Sequence, residues 1–219
     1  MLLRDLQSML AAVYGVEIGV DVRDYLVTDT DALAAWDRAA QARETAERLL
    51  IEEGEAEIGL ALYLDPQLLE RLEHFDPRHR LCGSNLSDFC LALEGVSHFN
   101  YVAWNAAMDR RVTLLELEMQ AEVDKYVCAR MLLSRQAPGA LGGRLVGSLF
   151  DEPGFDPELG ATESERYRVA ARFAAGYCLS LESRYPALAP GVAMLRELRS
   201  FYRWSQPAKI SHIRSAVLT

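Results

Sequence analysis

The residues able to do chemistry in this chain concentrate in two neighbouring stretches. In the first, Glu94 and His98 stand four apart, and Ser87, Tyr101 and Asn105 continue the line at spacings of seven, three and four. At about 100° per residue these side chains share one narrow stripe of a helix, with i and i+4 positions stacked one above the other. In the second, Glu118, Glu122 and Lys125 form one line, and Glu116, Gln120 and Asp124 form another beside it. If the two stretches fold as an antiparallel helical hairpin, the carboxylates of one helix meet the Glu/His stripe of the other. Carboxylates and an imidazole converging inside a helical bundle build metal sites and can set a general base beside a metal-bound water. The expected ligands of a divalent metal ion are therefore Glu94, His98, Glu118 and Glu122, with Tyr101 and Asn105 supplying hydrogen bonds behind them.

The same residues have plainer readings. Glu118, Glu122 and Lys125 at helical spacing also suit a solvated face laced by weak ion pairs, and Glu94 with His98 also suits a buried structural pair. The di-iron bundle pattern needs Glu and His three apart, whereas here they are four apart, and HExxH is absent. Ser97-His98 and Ser211-His212 are adjacent pairs, which point about 100° apart on a helix and so do not place a base on a nucleophile. No G-x-S-x-G elbow and no glycine-rich phosphate loop occurs. His74, His79 and Cys82 lack a fourth zinc ligand at a usual spacing.

These negatives make the first functional expectation a cytoplasmic interaction or accessory protein without chemistry of its own, acting on a protein partner or by self-association. The alternative is a metal-binding protein or metal-dependent hydrolase with its Glu/His site between the two central helices. In the tail, Arg residues interleave with Phe201, Tyr202 and Trp204, and Arg203 with Trp204 suits a partner surface because Arg and Trp are good interface anchors. Nucleic acid is disfavoured by the net charge of −9.

The charge is unevenly distributed. Residues 1–75 hold 16 acidic and 6 basic side chains, a net of −10, so residues 76–219 carry +1. The acidic first third and the basic tail are expected to attract one another. With 50% hydrophobic and 25% charged residues, the 219-residue chain has the composition of a globular protein. Four cysteines without a CxxC motif suit a reducing compartment. The first twenty residues lack the pattern of a signal peptide, and no apolar run is long enough for a membrane span.

The elements that must position the stripe follow from periodicity. Residues 3–14 read as a helix and residues 16–22 alternate as a strand. A helix then carries Leu33, Trp36 and Ala40 inward up to about Leu49, and a hairpin follows over residues 50–64 with its turn at Glu53-Gly54. Asp65-Pro66 opens a short helix, Asn85 is placed to cap the first central helix, and Asp109-Arg110-Arg111 forms the hairpin turn. A Gly/Pro-rich stretch at about 136–161 reads as a long loop. Thr162 and Glu165 form a capping box for a helix to about Arg184, and two shorter helices end the chain. The fold class is α+β and predominantly α-helical. A small N-terminal antiparallel sheet subdomain (1–75, α-β-α-β-β) packs on a C-terminal helical bundle (76–219) with a central long helical hairpin, the two merged into one globular unit.

Overall fold

The computed structural model describes residues 2–31, 33, 45–54, 58–136, 145–150 and 160–217. It is an α+β fold, mostly helical, with a three-stranded sheet near the N-terminus.

Helix α1 (Leu2–Tyr14) buries Leu3, Leu6, Leu10 and Val13 along one face. It stops at Gly15, whose φ of 59° suits glycine and lets Val16 N–H return to Ala11 O at 3.1 Å. Two tail arginines complete this end. Arg199 donates to the carbonyls of Ala12 and Val13, and Arg203 to those of Tyr14 and Gly15. Cations are favourable at a helix C-terminus, where the carbonyls lack partners.

Residues 16–22 do not form the expected strand. The side-chain amide of Gln7 donates to Val20 O at 3.1 Å and accepts from Val22 N–H at 3.1 Å, so backbone groups that a ladder would use are already satisfied. A 3₁₀ turn over Val22–Tyr25 follows, with Asp21 accepting from Arg23 N–H. Strand β1 is only Leu26–Val27. Strands β2 (Glu47–Glu53) and β3 (Ile58–Leu64) pair antiparallel, Glu47 opposite Leu64 and Glu53 opposite Ile58. β1 runs parallel to β3, so the sheet, in the order β1-β3-β2, is mixed rather than antiparallel throughout. Trp36 and Ala40 of the expected helix lie outside the described residues. The chain is already strand at Glu47, two residues before that helix was expected to end.

Helix α2 (Pro66–His74) starts as its Asp-Pro pair predicts, with the Asp65 carboxylate accepting from Gln67 N–H at 2.7 Å and Leu68 N–H at 3.2 Å. Helix α3 (Leu86–Ala106) and helix α4 (Leu114–Arg135) are the central hairpin. Asn85 makes no side-chain cap to α3. It ties the preceding loop instead, accepting from Cys82 N–H and donating to Phe75 O and Arg80 O. Thr113 caps α4 by accepting from Glu116 N–H. Within the glycine-rich stretch, residues 145–150 form helix α5 (Leu145–Phe150), whose Leu145 and Val146 are buried. Helix α6 (Ala161–Arg184) begins without a side-chain cap and already includes Thr162, so the expected capping box does not form. Helices α7 (Val192–Arg203) and α8 (Gln206–Val217) follow.

One hydrophobic core joins Leu62 and Leu64 of β3 to Phe89 and Leu93 of α3, Val123 of α4, Tyr177 of α6 and Phe201 of α7. Helix α3 is buried on nearly all sides, with α1, the sheet, α2 and α4 against it. The sheet meets α3 at Gly95. A Cβ there would lie 2.7 Å from Leu62 Cδ1 and 2.9 Å from Glu47 Cγ, closer than packed atoms approach.

Gly95→Ala is therefore expected to lower stability by about 1 kcal/mol, the balance between an overpacking cost of roughly 1–3 kcal/mol and a gain of about 1 kcal/mol in helix propensity. Urea unfolding checks it, and a midpoint equal to or above wild type refutes the close packing of sheet on helix.

Candidate metal centre

The glycine that admits the sheet also creates the site. Glu47, the first residue of β2, crosses α3 at Gly95, and its carboxylate reaches the stripe predicted from Glu94 and His98. One ligand atom from each of Glu47, Glu94 and His98 lies within 4.8 Å of the others.

His98 stands at the centre, 6% exposed. Its Nδ1 is 3.5 Å from Glu47 Oε1, and its Nε2 is 3.5 Å from Glu118 Oε2, so the ring has a carboxylate at each nitrogen. Both contacts are longer than ordinary hydrogen bonds, and Glu47 Oε1 and His98 Nε2 are buried atoms with no hydrogen-bond partner. Farther out, Lys125 Nζ lies 2.7 Å from Glu94 Oε2 and 2.6 Å from Glu122 Oε1. Arg166 of α6 approaches Glu118 Oε1 at 3.9 Å and Glu163 at 3.5 Å.

Burial and charge compete throughout. Burial disfavours an imidazolium, but the Glu118 and Glu47 carboxylates outweigh it and hold His98 well above its usual range. For Glu47 burial wins and raises the carboxyl, with His98 offsetting only part of it. For Glu94 the burial effect is outweighed by Lys125 and His98, which lower it. Lys125 stays charged because Glu122 and Glu94 overcome its desolvation.

Of the ligands predicted from sequence, Glu94 and His98 come together. Glu118 takes the far nitrogen of the imidazole, and Glu122 pairs with Lys125. Tyr101 and Asn105 lie elsewhere. Tyr101 OH donates to Glu116 Oε1 at 2.6 Å and accepts from Lys209 Nζ at 2.9 Å, while Asn105 donates to the Tyr101 carbonyl. Arg203 is bound to the end of α1, and Trp204, half-buried, lies against the His212 ring at 4.8 Å between centroids. Glu47 is the member that sequence reasoning missed.

Tyr101 belongs to a second, wholly buried network on the inner side of the hairpin. Asp124 accepts from Ser97 Oγ at 2.6 Å, from Gln120 Nε2 at 2.8 Å and from the Tyr14 hydroxyl. Lys209 of α8 is completely buried and also donates to Gln120 Oε1 at 2.8 Å. Burial pushes the Asp124 carboxyl up to about 6, against the pull of its hydrogen bonds from Ser97, Tyr14 and Gln120. Burial pulls Lys209 down to about 7, against the Glu116 and Asp124 carboxylates and with the help of Arg110.

Comparison with family models, with curated proteins and with solved structures returns no match.

The inner network makes stability depend on pH in two opposite arms. Between about pH 4 and 6 the unfolded chain has lost the Asp124 proton that the fold still holds, so this group's contribution falls as pH rises. Between about pH 7 and 10 the unfolded chain keeps the Lys209 proton that the fold has lost, so that contribution rises with pH. Urea unfolding of wild type against Lys209→Met is expected to show wild type gaining on the variant by several kcal/mol over the alkaline arm, at about 1.4 kcal/mol for each step of one in pH. A pH-independent difference refutes a depressed Lys209.

Proposed function

We propose that the protein binds a divalent first-row metal ion on Glu47, Glu94 and His98. The observation that carries this reading is the convergence of three ligand atoms from a strand and a helix, one of them the buried Glu47 Oε1, which has no hydrogen-bond partner. Buried polar atoms in native proteins are nearly always paired, and an orphan calls for an ion or water to complete it. Ligand atoms sharing an ion at usual bond lengths stand about 3–4 Å apart, and His98 Nδ1 and Glu47 Oε1 are already 3.5 Å from one another. One imidazole with two carboxylates suits manganese, iron or zinc.

Nδ1 is the donor nitrogen in this reading, because it faces Glu47 while Nε2 faces Glu118. Glu118 then accepts the Nε2 proton, fixing the tautomer and ring angle as carboxylates do behind metal-bound histidines. Metal-free, the imidazolium and Lys125 neutralise the same carboxylates.

An accessory role through a protein surface has less support, since the exposed apolar side chains Phe75, Met108, Leu114 and Val192 are spread over several elements. No helix among the described residues is long and apolar enough to cross a membrane. Four free thiols support placement in the reducing cytoplasm.

Calorimetric titration of chelator-treated protein with manganese, iron(II) and zinc is expected to give one ion per chain. His98→Ala and Glu47→Gln abolish it, while Glu118→Gln weakens it by about 10- to 100-fold at unchanged stoichiometry. Wild type that takes up none of the three metals refutes the reading.

A further inference from the structure

Resting on that metal-site reading, we propose that Lys125 sets the charge class of the ion, matching the site to a divalent rather than a trivalent cation. Six charged side chains surround or support the ligand position: Glu47, Glu94, Glu118, Glu122, Lys125 and Arg166. Their side chains are between 7% and 24% exposed, so water screens them poorly. Four carboxylates against two cations leave two negative charges when His98 is neutral, as a ligating imidazole must be. A divalent ion cancels them. A trivalent ion leaves one buried positive charge, and a monovalent ion leaves one negative charge. Glu163, the outer partner of Arg166, is 40% exposed and belongs to the solvated rim.

Lys125 is the cation that decides this count. Its ammonium sits directly on Glu94, a ligand, and on Glu122, which is not one, so it lies one carboxylate away from the ion. It contributes its charge without occupying a coordination position. Removing that charge strengthens the attraction for every cation, and more for a trivalent than for a divalent one by one additional charge–charge interaction.

The test is the ratio of manganese(II) to terbium(III) affinity, manganese by calorimetry and terbium by its sensitised luminescence. Lys125→Met is expected to move the ratio toward terbium by about tenfold or more, as one extra charge pair near 5 Å predicts for a poorly screened site. Lys125→Arg keeps the wild-type ratio. The double variant Lys125→Met/Glu122→Gln, which restores the original net charge, returns the ratio toward wild type, a recovery that a packing role for Lys125 does not give. Arg166→Gln removes a charge of the same sign at the rim and shifts the ratio the same way, which provides the measurement if Lys125→Met does not fold. Wild type that binds manganese with a ratio unmoved by these single charge removals, or not restored in the double variant, overturns the charge-setting role while leaving the metal site standing. Wild type that binds neither ion overturns the metal site itself.

Discussion

Helix α3 is enclosed by protein on nearly every side, and the rest of the structure answers that constraint. A polar side chain on a buried helix costs free energy unless it is paired, and α3 carries Ser97, His98, Asn100, Tyr101 and Asn105 in its buried half. Consecutive residues on a helix point about 100° apart, so neighbours are forced into different environments. Ser97 turns inward to Asp124, while His98 turns outward to Glu47 and Glu118. The facing helix divides in the same way, with Asp124 on the inner network and Lys125 on the outer cluster. Two polar systems of different character thus arise from one helical phase. The inner one draws α1, α7 and α8 together through Tyr14, Tyr202 and Lys209. The outer one is assembled by the sheet and by α6.

The distribution of charge along the chain is resolved mostly by backbone carbonyls. Arg199 and Arg203 of the basic tail bind the open end of α1 rather than its acidic side chains. Arg130 of α4 acts similarly, donating to the carbonyls of Tyr185, Ala187 and Leu188 where the chain leaves α6. Guanidinium groups are suited to this because their fan of donors serves several acceptors at once. An ion pair of Arg184 with Glu197 staples α6 to α7. The attraction between the acidic and basic ends is therefore in part the attraction of a helix C-terminus for cations.

The helical architecture was legible from sequence because its signals are local and long. The hairpin of α3 and α4, the Asp65-Pro66 start and the two last helices follow from periodicity and capping chemistry. What was not legible depended on distant partners. Residues 16–22 alternate as a strand does, yet Gln7 takes their backbone groups, and nothing in the local pattern signals that. Asn85 has the right type for a cap but finds stronger company in the loop before it. Glu47 was lost for a related reason. The sequence reading carries a helix up to about Leu49, which leaves Glu47 inside that helix rather than at the start of a strand. Its partner strand fixes the answer, since Glu47 pairs opposite Leu64 at the end of β3. The usable signal was Gly95, a glycine in the middle of an otherwise buried helix, which marks a close approach by another segment.

The outer cluster is graded from floor to rim, and the gradient bears on what it can bind. The side chains of His98 and Glu118 are 7% exposed, those of Glu47 and Lys125 little more, and that of Arg166 24%. The least exposed groups are those whose charges are least fully satisfied, because their contacts are 3.5 Å ion pairs rather than hydrogen bonds. Glu122, 20% exposed, and Lys125 make the shorter bond, at 2.6 Å. A cluster evolved only to neutralise charge would place its tightest pairing where desolvation costs most. Here the short contacts are those of Lys125 with Glu94 and Glu122, and the long ones surround an imidazole with a carboxylate at each nitrogen. In the proposed metal-site reading, His98 Nδ1 and Glu47 Oε1 are the atoms left without a tight bond, while Glu94 is held at 2.7 Å by Lys125.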